Sequence, residues 1–284
     1  MRSRGLTLSE LVVVIAVITL LTALSMPVWQ RSRERARAVV CAGRIRHLVA
    51  GLQDYETENG LFPHGFQALS GELGSPRRCA GIPGTVDPVG RWWFDCSERV
   101  DHATGDGVER LTCPSKRQEH SVLSMDLLCG NYGANLFICR PQWYVPPYGE
   151  VFAGDPLSSS QVRRPTETLL LVDSGYSLIS WWHATREPPV PLPPAFLMLG
   201  GLQHTAYVPG MEINMDRILL PGQMADAKGG RHPNKTVNVG FVDGSVAPMK
   251  ADSLLVGQSG ASWDSSPLWE PGGDAVSSQA TAVP

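Results

Sequence analysis

An uncharged apolar run near the N-terminus constrains this chain more than any other feature. From Leu11 to Val28 the run contains no charged residue, and its only polar residues are Thr19, Thr22 and Ser25. A helix needs about 20 such residues to cross a bilayer, and residues 6–9 supply the remainder. Glu10 is the one ionisable residue with apolar sequence on both sides. Because a carboxylate costs roughly 2.5–3.5 kcal/mol at the membrane centre and less near its edge, Glu10 is predicted to be functional.

Three interpretations of this segment compete. A secretory signal peptide has an apolar region of about 7–15 residues, and Ala23-Leu24-Ser25 offers a cleavage site, but this run is longer and includes Glu10. A plain membrane anchor fits the hydropathy equally well. The third interpretation is a resemblance. Residues 5–11, which read Gly-Leu-Thr-Leu-Ser-Glu-Leu, resemble the cleavage and methylation motif of prepilins.

The resemblance to type IV pilins and type II secretion pseudopilins implies a role for each motif residue. A prepilin peptidase would cut after Gly5 and methylate the new N-terminus at Leu6. Glu10 would pair with the N-terminus of a neighbouring subunit during assembly. Pro27 stands where pilin helices often carry a helix-loosening proline, since its ring disturbs the bond to residue 23. Leu6 and Ser9 depart from the usual phenylalanine and aliphatic residue at those two positions.

The same resemblance implies an inner-membrane, single-pass protein with a cytoplasmic N-terminus and a periplasmic or extracytoplasmic body. The distribution of arginines does not support this orientation by itself. The run is followed by Arg31, Arg33, Arg35 and Arg37, which outnumber the two arginines before it.

Composition limits the partners and the body. The net charge is -3, and without Arg2 and Arg4 it would be -5, so no basic excess points to nucleic acid. Twenty-nine glycines and 23 prolines predict a loop-rich body. The six cysteines form no CxxC pair, which disfavours zinc and favours disulfides, with up to 15 pairings. For Cys41, a buried thiol is an equal alternative.

Periodicity predicts one long helix from Leu6 to Glu58. An apolar stripe recurs at three- and four-residue steps, and Asn59-Gly60 is a typical helix stop. The stripe consists of Ile45, Leu48, Val49, Leu52 and Tyr55.

Strands are predicted at 168–172, 236–242 and 245–249. The last two form a hairpin through a two-residue Asp243-Gly244 turn, with Pro248 marking an edge strand. The fold class is α+β and pilin-like, a long helix packed on a small antiparallel sheet with loop-rich insertions. The predicted units are a leader (1–5), a transmembrane half-helix (6–29), an extramembrane half-helix (30–60), the body (61–257) and a disordered tail (258–284).

The body resembles a large bacterial prepilin-associated family with a C-terminal histidine, nine residues and Asp-Gly. Here His232 precedes Asp243-Gly244 by ten residues, one more than in that family. Three other segments match its common sequences: Cys113-Pro114-Ser115, residues 132–135 and residues 164–168.

Catalysis by His232 and Asp243 is disfavoured, since aspartate before glycine is ordinary turn chemistry and no hydrolase or phosphate-binding motif is present. The chain is therefore expected not to be an enzyme. No cofactor is certain. Calcium is considered because major pseudopilins often hold it in a C-terminal loop, and its candidate ligands are Asp216, Asp226, Asp243 and Asp252. The tryptophan pairs 92–93 and 181–182 are expected to be packing residues rather than exposed platforms.

Together these features predict a structural, pilin-like subunit of a type II secretion or type IV pilus-like assembly. Its expected partners are the prepilin peptidase, other pilin-like subunits and the inner membrane. The alternative is a membrane-tethered binding or scaffold protein that is processed in the same way but never polymerises.

Overall fold

The computed structural model describes residues 8–68, 90–96, 111–117, 131–141, 152, 154–188, 206–219, 222–259, 262–263 and 266–272. One long helix, α1 (Leu8–Asn59), leads into a small sheet. At about 1.5 Å per residue, its 52 residues extend about 78 Å. The helix ends where the sequence predicts. Gly60 has φ of +80°, and its N–H donates to the carbonyl of Glu56 at 2.7 Å.

The two halves of α1 have opposite surroundings. Up to Val40 the described side chains are exposed or only partly covered. From Cys41 onward one face is buried, and it includes Ile45, Leu48, Val49 and Leu52. The predicted apolar stripe is thus confirmed at these four positions, and Tyr55 is half-buried.

The central sheet has five strands in the order β5-β3-β4-β6-β7. They are β3 (Tyr132–Asn135), β4 (Leu169–Asp173), β5 (Leu178–Ile179), β6 (Thr236–Phe241) and β7 (Val246–Lys250). Because β5 runs parallel to β3, the sheet is mixed, whereas the sequence predicted an antiparallel one. Two smaller antiparallel pairs join β1 (Phe66–Ala68) to β2 (Gly90–Trp92) and β8 (Gln258–Ser259) to β9 (Ser262–Trp263). A short helix, α2 (Met224–Gly229), precedes β6.

Apolar cores lie on both faces of the sheet. The helix-side core joins the buried face of α1 to Leu170, Leu171 and Trp93. The opposite core contains Val172, Val237, Val239 and both tryptophans of the 181–182 pair. Burial on both sides explains why β4 is a continuous apolar run, since every one of its five residues is buried. The expectation that the tryptophan pairs pack internally is confirmed, because all four side chains are buried.

The hairpin between β6 and β7 is present, but its turn differs from the predicted one. Gly244 donates to the carbonyl of Phe241 at 3.0 Å, and Phe241 donates to that of Ser245 at 2.9 Å. Gly244 has φ of +92°, whereas Asp243 is not among the residues with positive φ. The loop is therefore a three-residue turn closed by a left-handed glycine. Pro248 lies on β7, which is an edge strand as predicted.

The prediction that the chain is disordered from residue 258 onward is wrong for residues 266–272. Trp269 is fully buried in the second core, and its indole N–H donates to the carbonyl of Leu254 at 2.8 Å. Leu169 of β4 also donates to the carbonyl of Leu268 at 2.8 Å. A short segment in this low-complexity sequence therefore packs against the sheet and is part of its second core.

Candidate functional site

Two regions of the described chain stand out chemically. One is the apolar half of α1, where the large hydrophobic side chains from Leu8 to Trp29 are 49–82% exposed. This single helix is long and apolar enough to cross a membrane. The three polar residues between Leu11 and Val28 bond within the helix: Thr19 donates to the carbonyl of Ala16, Thr22 to those of Ile18 and Thr19, and Ser25 to that of Thr22. Hydroxyls satisfied in this way need no water, which suits a lipid environment.

The predicted processing and assembly residues are only partly described. Gly5 and Leu6 lie outside the described residues. Glu10 is exposed in the first turn of α1, and Pro27 lies inside the helix without ending it.

The other region is a buried cluster of four side chains, which we call the CCDH cluster: Cys41, Cys113, Asp173 and His232. Cys41 lies on α1, Cys113 in the segment 111–117, Asp173 at the end of β4 and His232 just before β6. One ligand atom from each lies within 4.8 Å of all the others. All four residues are buried, at 3% exposure or less.

The contacts inside the cluster are short and mutual. The sulfurs of Cys41 and Cys113 are 3.6 Å apart. The Cys41 thiol donates to Oδ1 of Asp173 at 3.2 Å, and Nε2 of His232 lies 3.1 Å from Oδ2 of the same carboxylate. Nδ1 of His232 is buried and has no hydrogen-bond partner. Two sulfurs, an imidazole and a carboxylate are donors that suit a borderline-soft divalent metal.

A polar shell holds the cluster in place. Asn238 donates its backbone N–H to Oδ2 of Asp173 at 2.7 Å, and its amide nitrogen lies 3.1 Å from Nε2 of His232. The phenol oxygen of Tyr132 is 3.5 Å from the Cys41 sulfur. The Arg231 guanidinium lies 3.9 Å from Oδ1 of Asp173 and is fully buried.

Arg231 is itself neutralised by Asp226. Its Nη2 lies 2.7 Å from Oδ2 of Asp226, and its Nη1 donates to the carbonyl of Asn131 at 2.6 Å. Tyr207 also donates to Asp226 at 2.9 Å. These bonds satisfy a buried ion pair, as such a pair requires.

The protonation states follow from burial opposed by neighbouring charge. Burial disfavours the imidazolium, but the hydrogen bond with Asp173 and the proximity of Cys113 raise the pKa of His232 to about 10. Burial likewise disfavours the Cys113 thiolate, yet contacts with Cys41 and His232 bring the pKa of Cys113 down to about 6. Burial raises the pKa of Cys41 well above its ordinary value, and the neighbouring Cys113 raises it further. Near neutral pH the cluster therefore pairs a thiolate and a carboxylate with an imidazolium.

His232 and Asp243, the two residues of the sequence motif, have different partners in the structure. His232 pairs with Asp173, while exposed Asp243 accepts bonds from the backbone and hydroxyl of Ser245 at 2.9 and 2.7 Å. Directly after His232 the chain turns at 233–235, where Asn234 and Lys235 have positive φ.

The four calcium candidates have separate roles. Asp226 neutralises Arg231, Asp216 lies 3.6 Å from Arg186, Asp243 caps its turn, and Asp252 accepts the backbone N–H of Glu212 at 2.7 Å. Among the described residues they form no common metal-binding group. Calcium binding remains a prediction that these contacts do not support.

Sequence reasoning did not find the CCDH cluster, because its members are far apart and no two cysteines are closely spaced. It did single out His232 and the Cys113-Pro114-Ser115 segment. The remaining signal was Asp173, the carboxylate that ends the otherwise apolar strand β4. Cys41, Cys113 and Cys139 are all buried, and the sulfurs of Cys41 and Cys113 are too far apart, at 3.6 Å, for a disulfide.

Comparisons of the chain with models of known families, with curated proteins and with solved structures found no match. The fold defines the class: an α+β protein whose described residues include one candidate membrane-spanning helix. The long apolar helix followed by a small sheet fits the pilin-like architecture.

Proposed function

We propose that this chain is a structural pilin-like subunit, a pseudopilin, of a type II secretion or type IV pilus-like assembly. The observation that carries the proposal is the division of α1. Its first half is apolar and exposed, with Glu10 in the first turn, and its second half is part of the core of the body. A helix divided in this way can anchor the subunit in a membrane and then pack against neighbouring helices.

In the proposed pathway a prepilin peptidase cuts after Gly5 and methylates Leu6. The N-terminus of α1 starts in the cytoplasm, and the body lies on the outer side of the inner membrane. Glu10 then supplies the buried charge that receives the N-terminus of an adjacent subunit, and an unpaired carboxylate in the lipid is penalised. The role is mechanical rather than catalytic.

The test is the intact mass and N-terminal sequence of protein extracted from membranes of the native host. A chain that begins at N-methylated Leu6 is expected. A chain that begins at Met1 would identify a plain anchor, and one that begins at Met26 a secreted soluble protein. Either of these results would overturn the proposal.

Processing alone does not distinguish a polymerising subunit from a non-polymerising tether, because both would be processed in the same way. Cross-linking in intact membranes distinguishes the two. A ladder of multimers is expected, and a single monomer band would instead identify the non-polymerising tether.

A further inference from the structure

The CCDH cluster brings together four parts of the chain that no local motif connects. Its four residues come from α1, the segment 111–117, β4 and the approach to β6. We propose that Cys41, Cys113, Asp173 and His232 bind one zinc ion, which fixes the long helix to the sheet. The site is independent of the proposed function, since it would exist whether or not the chain polymerises.

The spacing of the donor atoms fits a tetrahedral metal. Zinc binds thiolate sulfur at about 2.3 Å, so two thiolates in tetrahedral geometry lie about 3.8 Å apart. The two sulfurs here are 3.6 Å apart. The Asp173 carboxylate is 3.2 Å from one sulfur and 3.1 Å from the imidazole, so it lies between the other donors.

The donor types indicate which metal. Two thiolates exclude a calcium or magnesium preference, since those ions select oxygen ligands. Four protein donors without a bound solvent molecule are typical of a structural zinc site. The polar shell supplies the usual outer contacts: Asn238 reaches both Asp173 and His232, and Arg231 lies beside the carboxylate. The two thiolates and the carboxylate would carry three negative charges, which the metal largely neutralises.

A Cys41–Cys113 disulfide is the competing chemistry. It would bring the sulfurs to about 2.05 Å and would remove the thiol proton that Oδ1 of Asp173 accepts. Oδ1 of Asp173 would then have lost its thiol donor and would be left with the Arg231 guanidinium at 3.9 Å. Nδ1 of His232 would still have no hydrogen-bond partner. A metal uses all four side chains, whereas a disulfide uses two.

The experiment measures metal in the full-length protein, extracted in detergent without chelator. One zinc per chain is expected by elemental mass spectrometry. Cys113→Ser is expected to lose it, and Cys139→Ser is the matched control, a buried thiol outside the cluster that should retain it. Alkylation under denaturing conditions in chelator should label both Cys41 and Cys113.

Wild-type protein provides a second measurement in case Cys113→Ser does not fold. After stripping with a chelator, it is titrated with Zn²⁺ and, separately, with Co²⁺. A zinc-dependent rise in melting temperature and thiolate-to-cobalt charge-transfer absorption are expected. The proposal fails if wild-type protein contains no zinc and Zn²⁺ leaves its melting temperature unchanged. It also fails if peptide mapping finds Cys41 and Cys113 joined as a disulfide.

Discussion

Gly240 of β6 lies directly against Val49 of α1, at the point where the helix crosses the sheet. A Cβ atom at position 240 would lie 2.6 Å from Cγ2 of Val49 and 2.8 Å from Cγ2 of Ile45. Real Cβ atoms do not approach other atoms so closely. The missing side chain is therefore what allows the helix to reach the strand.

Gly240→Ala is expected to lower the free energy of unfolding by roughly 1–3 kcal/mol, because the helix must shift away from β6. Chemical unfolding of the detergent-solubilised full chain measures the loss. Gly43→Ala is the matched control. No atom would lie within 4 Å of its Cβ, so alanine there should be neutral or stabilise the helix by up to about 1 kcal/mol. Adding Val49→Ala to Gly240→Ala should recover part of the loss, and strictly additive effects would contradict the close contact.

Asp226→Asn is expected to cost roughly 3–5 kcal/mol of unfolding free energy, since it removes the carboxylate that lies 2.7 Å from the fully buried Arg231. Thermal unfolding with a van't Hoff analysis gives the value. Asp216→Asn serves as the control, because its side chain is 80% exposed and its pair with Arg186 is long at 3.6 Å. A change within about 0.5 kcal/mol is expected there. Equal effects of the two substitutions would show that the buried pair is not structurally important.

In the metal-free protein, the opposite charges of His232 and Cys113 predict offsetting contributions to the pH dependence of the unfolding free energy. The folded pKa of His232, about 10, exceeds its unfolded value of about 6.5. The contribution of His232 to the unfolding free energy is therefore complete below about pH 6.5 and is lost as the pH rises through 10. The folded pKa of Cys113, about 6, is below its unfolded value of about 8.5, so its contribution is complete above about pH 8.5 and is lost as the pH falls through 6. The two trends cancel between about pH 6.5 and 8.5.

Removing one of the two charges should make the pH dependence that arises from the other charge measurable. With chelator present, the unfolding free energy of Cys113→Ala is expected to fall as the pH rises from about 6.5, by up to about 1.4 kcal/mol per pH unit relative to wild type. Cys139→Ala should follow the wild-type profile. Denaturant unfolding at a series of pH values, followed by tryptophan fluorescence, makes the comparison. Parallel profiles for wild type and Cys113→Ala would contradict these assignments.

Asn238→Ala tests the polar shell of the zinc site. The backbone bond to Asp173 survives in this variant, but the amide next to His232 is lost. Zinc affinity is expected to fall about tenfold, measured by competition with a chromophoric chelator. Asn59→Ala is the control, since the Asn59 amide donates to the carbonyl of Tyr55 at the far end of α1. An unchanged affinity in Asn238→Ala would exclude the amide from the shell.

Glu10→Ala tests assembly. Processing after Gly5 should continue, whereas the ladder of cross-linked multimers in membranes should shrink to the monomer band. Glu58→Ala changes an exposed glutamate on the same helix outside the apolar half, and it should leave the ladder intact. Normal multimers in Glu10→Ala would remove this residue from the assembly role.

Features that depend on neighbouring residues were predictable, and those that depend on distant contacts were not. The apolar stripe and Gly60 predicted the extent of α1, because helix periodicity and a left-handed stop are local properties. Alternation predicted β6, but not which face would meet the helix. Val237 and Val239 point to the far core, and Gly240 faces α1. Asp243-Gly244 marked the hairpin correctly, but its turn type depends on how Phe241 pairs with Ser245.

The CCDH cluster was beyond local reasoning for the same reason. Cys41 and Cys113 are 72 positions apart, and Asp173 and His232 are 59 apart. Only the folding of α1 onto β4 makes them neighbours. Trp269 was missed because its surroundings in sequence are rich in serine, glycine and proline, while its burial depends on a contact with Leu254.

The division of α1 also has a mechanical consequence. Between Trp29, at the end of the apolar half, and Cys41, the first buried residue, the helix runs for twelve residues, or about 18 Å, outside the core. In the proposed pilin-like subunit, this stretch is a stalk that holds the body away from the bilayer. A pull on the anchor travels along the stalk and reaches the core first at Cys41. Cys41 is therefore the first buried residue of α1 to pass that load to the body, and the buried residues Ile45, Leu48, Val49 and Leu52 share it.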